Sequence, residues 1–179
     1  MTDGNRYPPQ LRDLLRVIPV AQSQTQDETT LTFLSVDCYT DGWVANLTAN
    51  RDLFDKRSNP APFAGKYNLV FPGPGDGDPT HPQNDGTGTL TVSAAGQVKF
   101  KGTLGDGTKV SESATISQAG DLPFYIPLYK QGGQIMGWLN FDGAGNVGGQ
   151  TSWIKLPNDK SKTFPEGFQL NPNAAGSAQ

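Results

Sequence analysis

The sequence predicts an all-β protein, an antiparallel meander β-barrel with a β-sandwich as the alternative. Three observations lead there. From Thr30 onward the apolar residues recur with a period of two, the signature of strands. Turn signals separate these runs at the spacing of roughly 8–12 residues usual in sandwiches and barrels. And 22 Gly and 14 Pro in 179 residues, with 35% hydrophobic content, describe many short elements joined by tight turns.

Taken in order, QLRDLLRVI puts Leu11, Leu14, Leu15 and Ile18 on one stripe before Pro19, so at most one short N-terminal helix is expected there. TLTFLSVDCY is apolar on both alternating sets, as in a strand covered on both sides. GWVANLTAN places Trp43, Ala45, Leu47 and Ala49 on one face and polar residues on most of the other. GKYNLVF, TGTLTV and QVKFKGTL follow, the last two joined by the glycine-containing turn SAAG. Val98, Phe100 and Leu104 point to the core in this register, and Lys99 and Lys101 to solvent.

TKVSESATI alternates Val110, Glu112, Ala114 and Ile116 with polar neighbours. PFYIPLY carries Pro123 and Pro127, which donate no ladder hydrogen bonds, so it is expected at an edge, a bulge or a strand switch. QIMGWLNF and VGGQTSWIKL, joined by DGAGN, bring the total to about nine strands. Trp138 and Trp153 lie within apolar runs and are both expected in the core. Glycines inside strands (Gly102, Gly137, Gly148 and Gly149) favour a barrel over a sandwich, because they mark bends and close backbone approach. The expected organisation is an N-terminal extension over 1–29, a single β domain over 30–170 and a disordered tail, NPNAAGSAQ, over 171–179.

Composition excludes several function classes. A net charge of −3 with 17% charged residues offers no basic stripe for nucleic acid. No apolar run is long enough for a membrane-spanning helix, so no membrane insertion is expected, and the first twenty residues lack the pattern of a secretory signal. The single cysteine, Cys38, sits in a strand-like run and reads as a small apolar residue.

Chemistry-bearing candidates are few. His81 is the only histidine, which removes His-rich metal sites, and no nucleophile elbow is present. The insert DGDPTHPQNDG raises the question of calcium, because Asp76, Asp78 and Asp85 supply hard oxygen ligands. Yet the residues that should complete a calcium loop are missing, and Gly, Asp and Pro serve turn geometry without an ion. A solvated, metal-free loop that tolerates shortening is therefore expected, and no cofactor. Paired carboxylates for glycoside hydrolysis are not assignable, since only Glu112 lies within a convincing strand. Tyr125 and Tyr129 alternate with Phe124, Ile126 and Leu128, so they are the candidate ligand-binding aromatics, an outward pair able to stack on a sugar.

Several runs in consistent order carry a resemblance: WVANLTANR (43–51), PAPFAGKYNLVFPG (60–73), GTLTVSAAGQVKFKGTLGDGTKV (88–110), PFYIPLY (123–129), GWLNF (137–141), and SWIK with PEGF beyond it. Over about residues 42–170 the chain resembles a β-rich module of very large secreted or surface proteins of environmental bacteria. The resemblance carries no assigned activity and no catalytic residues. It implies a secreted or cell-surface location, and a non-catalytic role in structure, adhesion or assembly beside neighbouring domains or surface proteins. A small-ligand or glycan-binding barrel is the alternative, and a hydrolase using acidic residues a distant third.

Overall fold

The computed structural model describes the backbone of residues 14–26, 29–39, 42–51 and 54–179, with side chains described from Phe54 onward and at Val36 and Cys38. It is all-β, and its main antiparallel sheet is nearly closed into a barrel. The strands are β1 (Leu14–Gln26), β2 (Thr29–Tyr39), β3 (Gly42–Arg51), β4 (Gly65–Phe71), β5 (Gly86–Val92), β6 (Gln97–Thr103), β7 (Lys109–Thr115), β8 (Asp121–Leu128), β9 (Gly133–Phe141), β10 (Asn146–Lys155), β11 (Phe168–Leu170) and β12 (Asn173–Ala178). β1–β2–β3 form a separate three-stranded sheet, and the barrel sheet runs β7–β6–β5–β4–β12–β10–β9–β8 with β11 beside β10.

The sequence allows at most one short N-terminal helix, and none forms where the backbone is described: residues 14–18 belong to β1, with Val17 opposite Asp37 and Ile18 opposite Val36, while residues 10–13 lie outside the described residues. A nine-residue helical stripe is too short to hold itself together, and cross-strand pairing overrides it. Pro19 sits at a register shift, where a missing N–H does least harm.

The expected disordered tail is β12, which pairs with β10 on one side and β4 on the other and so closes the meander. Its small residues are what allow this. A methyl group on Gly176 would lie 2.0 Å from the Asn68 carbonyl oxygen. Low side-chain bulk reads as a linker when taken alone and as a closing strand once both neighbours are in place.

Most hairpins share one turn. In the β5–β6, β6–β7 and β7–β8 connections the residue three places before a left-handed glycine bonds in the same way: Ser93 N–H donates to Gln97 O, Leu104 N–H to Thr108 O and Ser117 N–H to Asp121 O. Gly96, Gly107 and Gly120 carry the positive φ that this three-residue turn demands. Asp142, before β10, reproduces the geometry with its carboxylate accepting the N–H groups of Ala144 and Asn146.

The prediction that Pro123 and Pro127 mark an edge holds, and the register explains it. Phe141 N–H donates to Gly120 O, so the even-numbered residues of β8 face β9 and the odd-numbered ones face β7. Extending the β7–β8 hairpin from Ser117 and Asp121 would set Thr115 against Pro123 and Ser111 against Pro127. Alternate donors of that ladder do not exist, and no β7–β8 ladder forms among the described residues. The Ser113 N–H, which points to this seam, bonds to the Glu112 carboxylate instead, at 3.0 Å.

The interior is filled by three aromatic layers. Phe63, Tyr67 and Phe141 close one end, and the Tyr67 hydroxyl donates to Phe63 O. Phe71, Phe100 and Phe124 meet at ring separations of 5.3–5.9 Å in the middle. Trp153, Phe168 and Phe164 form the third layer at 5.0 and 5.4 Å. Leu69, Leu90, Ile135 and Leu139, all fully buried, occupy the gaps. Phe100 also covers the paired glycines Gly88 and Gly102, and its ring leaves no room for a methyl group at either.

The expected register is borne out: Val98, Phe100 and Leu104 are buried while Lys99 and Lys101 are exposed. Trp153 is buried as expected, but Trp138 is 54% exposed. Leu139 and Phe141 point inward, and Trp138 shares its phase with the polar Gln134 and Asn140 on the outer wall.

Two outcomes follow for stability. Trp153→Ala should lower unfolding free energy by about 3–5 kcal/mol, against less than about 0.5 kcal/mol for Trp138→Ala, in chemical denaturation. Truncation after Leu170 should abolish the cooperative melt followed by circular dichroism, because β12 supplies both the β10 and the β4 pairings; a truncated chain melting like the intact one would contradict this topology.

Candidate functional site

One end of the barrel carries only short glycine turns. The other sets the β6–β7 turn, of the same short type, among the irregular connections: the acidic insert between β4 and β5, the turn after β8 and the segment between β10 and β11. Irregular loops on a rigid sheet are where binding groups concentrate. Backbone strain concentrates here too, since every non-glycine residue with positive φ among the described residues lies at this end: Tyr129, Lys130, Gln131 and Phe164.

A polar chain ties these loops together. Asp106, in the β6–β7 turn, accepts Thr108 N–H and the Thr108 hydroxyl, both at 2.9 Å. Its Oδ2 also accepts the Tyr129 hydroxyl at 2.6 Å, and that hydroxyl oxygen accepts Trp153 Nε1–H at 3.0 Å. Burial, reinforced by the bond to Asp106 and its negative charge, pushes the Tyr129 phenol well above its ordinary value of 10.0. The Asp106–Tyr129 bond spans the mouth of the β7–β8 seam, where the backbone ladder is missing.

Inward-facing positions of β10 lead from Trp153 to Lys155, which is 3% exposed. Its ammonium donates to Phe164 O at 2.7 Å and lies 5.6 Å from the centre of the Tyr129 ring. Burial lowers the Lys155 pKa below 10.5, against the opposing pull of the Asp106 charge. Phe164 adopts its strained φ of 50° at the residue whose carbonyl meets this ammonium. The arrangement can hold a charge and fix a loop.

The sequence candidates fall elsewhere than expected. Tyr125 is 7% exposed and Tyr129 is half-buried in the polar chain, so the two form no exposed stacking pair. Tyr125 lies on the outer wall of β8, beside Met136 of β9, where Gln134, Ser152 and Ile154 are also buried. β1 approaches β9 and the turn after β8 in this region. Cys38 lies half-buried in β2 between Arg16 of β1 and Trp43 of β3 in the register. Glu112 sits opposite Phe100 on the inward row, next to the seam.

The acidic insert is exposed, as expected, but it is folded. Gln83 holds it: its amide donates to Asp76 Oδ1 at 2.9 Å and to Asp78 O at 2.7 Å, while its own oxygen accepts Gly77 N–H at 2.8 Å. His81 Nε2 lies 3.3 Å from Asp76 and 3.8 Å from Asp78. Asp85 turns away and accepts Gly73 N–H at 2.8 Å. The three aspartates do not converge, and no cluster of His, Cys, Asp or Glu suited to a metal ion occurs among the described residues. Pro82 is fully buried, so shortening this loop removes packing that a solvated turn would not have. The Asp78 N–H and the Gln83 amide hold the Asp76 carboxyl below its ordinary range, and Thr80 does the same for Asp78.

Asp106, Trp153 and Lys155 were not singled out as a site by sequence reasoning. The signal was the alternation Thr151, Trp153, Lys155, which puts a lysine on an inward row. No family model, curated protein or solved structure matches the chain. The residues themselves therefore carry the functional argument.

Tyr129→Phe should destabilise the fold by about 1–3 kcal/mol, because Asp106 and Trp153 are left with unmet hydrogen-bonding capacity. The pH dependence has a definite sign. The folded-state pKa of Tyr129 lies above the unfolded value, so its stabilisation is complete below pH 10.0 and declines as pH rises beyond it. Lys155 acts oppositely: with a lowered folded-state pKa, stability rises through the window from that pKa up to 10.5. Denaturation series on Tyr129→Phe and Lys155→Met should each remove one of these slopes, and unchanged slopes would refute the assignment.

Proposed function

We propose that this chain is a non-catalytic module of a secreted or cell-surface bacterial protein, serving spacing, adhesion or assembly beside neighbouring domains. The observation that carries this reading is the filled barrel. Three aromatic layers occupy the space in which a ligand-carrying barrel would keep a cavity. At the loop end, the groups able to do chemistry are bound to one another: Asp106 to Tyr129, Tyr129 to Trp153, and Lys155 to a backbone carbonyl.

The location and the bacterial setting rest on the sequence resemblance over about residues 42–170. A bead of fixed shape suits a repetitive surface protein, because a packed interior resists deformation and transmits load through its ladders. Binding of a glycan is the second reading, favoured by Trp138 on the outer wall.

A panel of chromogenic glycosides and esters, together with an apolar fluorescent probe, tests the proposal. Turnover at the buffer rate and no saturable probe binding are the expected results. Turnover abolished by Glu112→Gln or Asp106→Asn would make the chain an enzyme, and probe binding that quenched Trp153 would make it a carrier.

A further inference from the structure

We infer that the outer wall around Trp138 is a binding platform for a neutral hexopyranose unit of a polysaccharide. Trp138 is the one exposed large hydrophobic residue among the described side chains, at 54% exposure, and it sits on β9, an interior strand of the sheet flanked by β8 and β10. On the same face the buried Pro123 lies directly opposite on β8 and the buried Met136 two residues back, while the flank towards the end of β9 is polar. Asn140 lies two residues along the strand, and Asp121 is opposite Asn140 on β8. The ladder between Gly148↔Asn140 and Thr151↔Gly137 brings Gln150 beside Trp138 from β10. Asn140 and Gln150 are exposed, and Asp121 is half-exposed.

The chemistry of this set selects a sugar. An indole face on a rigid strand offers a flat apolar surface to the axial C–H groups of a pyranose ring. Positions i and i+2 of a strand lie roughly 6.6 Å apart, and adjacent strands about 4.8 Å, so amides at Asn140 and Gln150 reach the rim of a ring stacked on Trp138. Asn140 Nδ2 donates to Asp121 Oδ1 at 2.8 Å, which orients both groups and leaves the amide oxygen and the second carboxylate oxygen as acceptors for a pair of hydroxyls.

Charge and patch size exclude the rivals. The carboxylate of Asp121 disfavours acidic sugars. A protein partner would call for a contiguous apolar patch of several hundred Å², whereas here one exposed ring has two amides and a carboxylate on one flank and the buried Pro123 and Met136 on the other. The inference goes beyond the non-catalytic reading, and its failure would leave a spacing module intact.

Affinity electrophoresis in gels containing hydroxyethylcellulose, galactomannan or laminarin, followed by calorimetry with cellohexaose, mannohexaose and laminarihexaose, provides the test. Retardation by at least one neutral polymer is expected, with affinity weakened by about tenfold or more in Trp138→Ala and severalfold in Asn140→Ala. Both variants should keep the parent melting temperature, and Trp138→Tyr should retain part of the binding. Sedimentation velocity runs alongside. No interaction with any of these glycans, or binding that survives Trp138→Ala, would overturn the inference. So would self-association that Trp138→Ala abolishes, since the indole would then serve a second copy of the chain.

Discussion

The constraint on which the rest of the structure depends is the missing hydrogen-bond ladder between β7 and β8. A barrel is stable because closure leaves no strand edge exposed, and here closure stops one ladder short, with β7 and β8 adjacent but unpaired. The cause is chemical: Pro123 and Pro127 fall at the β8 positions whose N–H groups would face β7. Each proline tolerates its place only because the β9 side of β8 does not need it as a donor. The seam must then be held by other means at both ends. The Ser117–Gly120 turn secures one end and the Tyr129–Asp106 bond the other.

This explains why the polar chain is partly buried rather than offered fully to solvent. A phenol–carboxylate bond exchanges with water readily when exposed; partly buried beside Trp153 it gains electrostatic strength from its surroundings. The left-handed backbone at Tyr129–Gln131 is part of the same device, because it turns the chain sharply at the end of β8 while Tyr129 keeps its hydroxyl on Asp106. Strain of this kind persists only where neighbouring contacts over-determine it. The aromatic layers behind supply them.

The parts of the fold legible in the sequence were those specified by side-chain alternation. β2 to β10 follow from period-two patterning, and the turn glycines from the left-handed positions they must fill. Elements specified by their neighbours were not legible. β12 has no apolar alternation to display, because its task is to be thin between β10 and β4. β1 shows a helical stripe that pairing with β2 overrides. The reversal at Trp138 was legible in principle. Gln134 and Asn140 share its parity, and two polar residues in phase outweigh the apolar residues on either side. The polar chain was the least legible part, since Asp106 comes from the β6–β7 turn, Tyr129 from the turn after β8, and Trp153 and Lys155 from β10, and these meet only after the barrel has formed.

The acidic insert shows the same division between composition and assembly. Its aspartates suggest an ion by charge alone, yet each finds a partner nearer to hand: Asp76 in the Asp78 N–H and Gln83, Asp78 in Thr80, and Asp85 in Gly73. A carboxylate already accepting backbone N–H groups needs no cation to remain charged near neutral pH. Gly73 and Gly105 let the loop lie against the barrel rim, because a methyl group at either would meet the carbonyl of Gln83 or Asn84 at 2.1 Å. The insert is thereby anchored to the β6–β7 turn that also bears Asp106. The loop end of the barrel is thus a set of restraints on the seam, and its polar groups are spent on holding the two uncovered strands together.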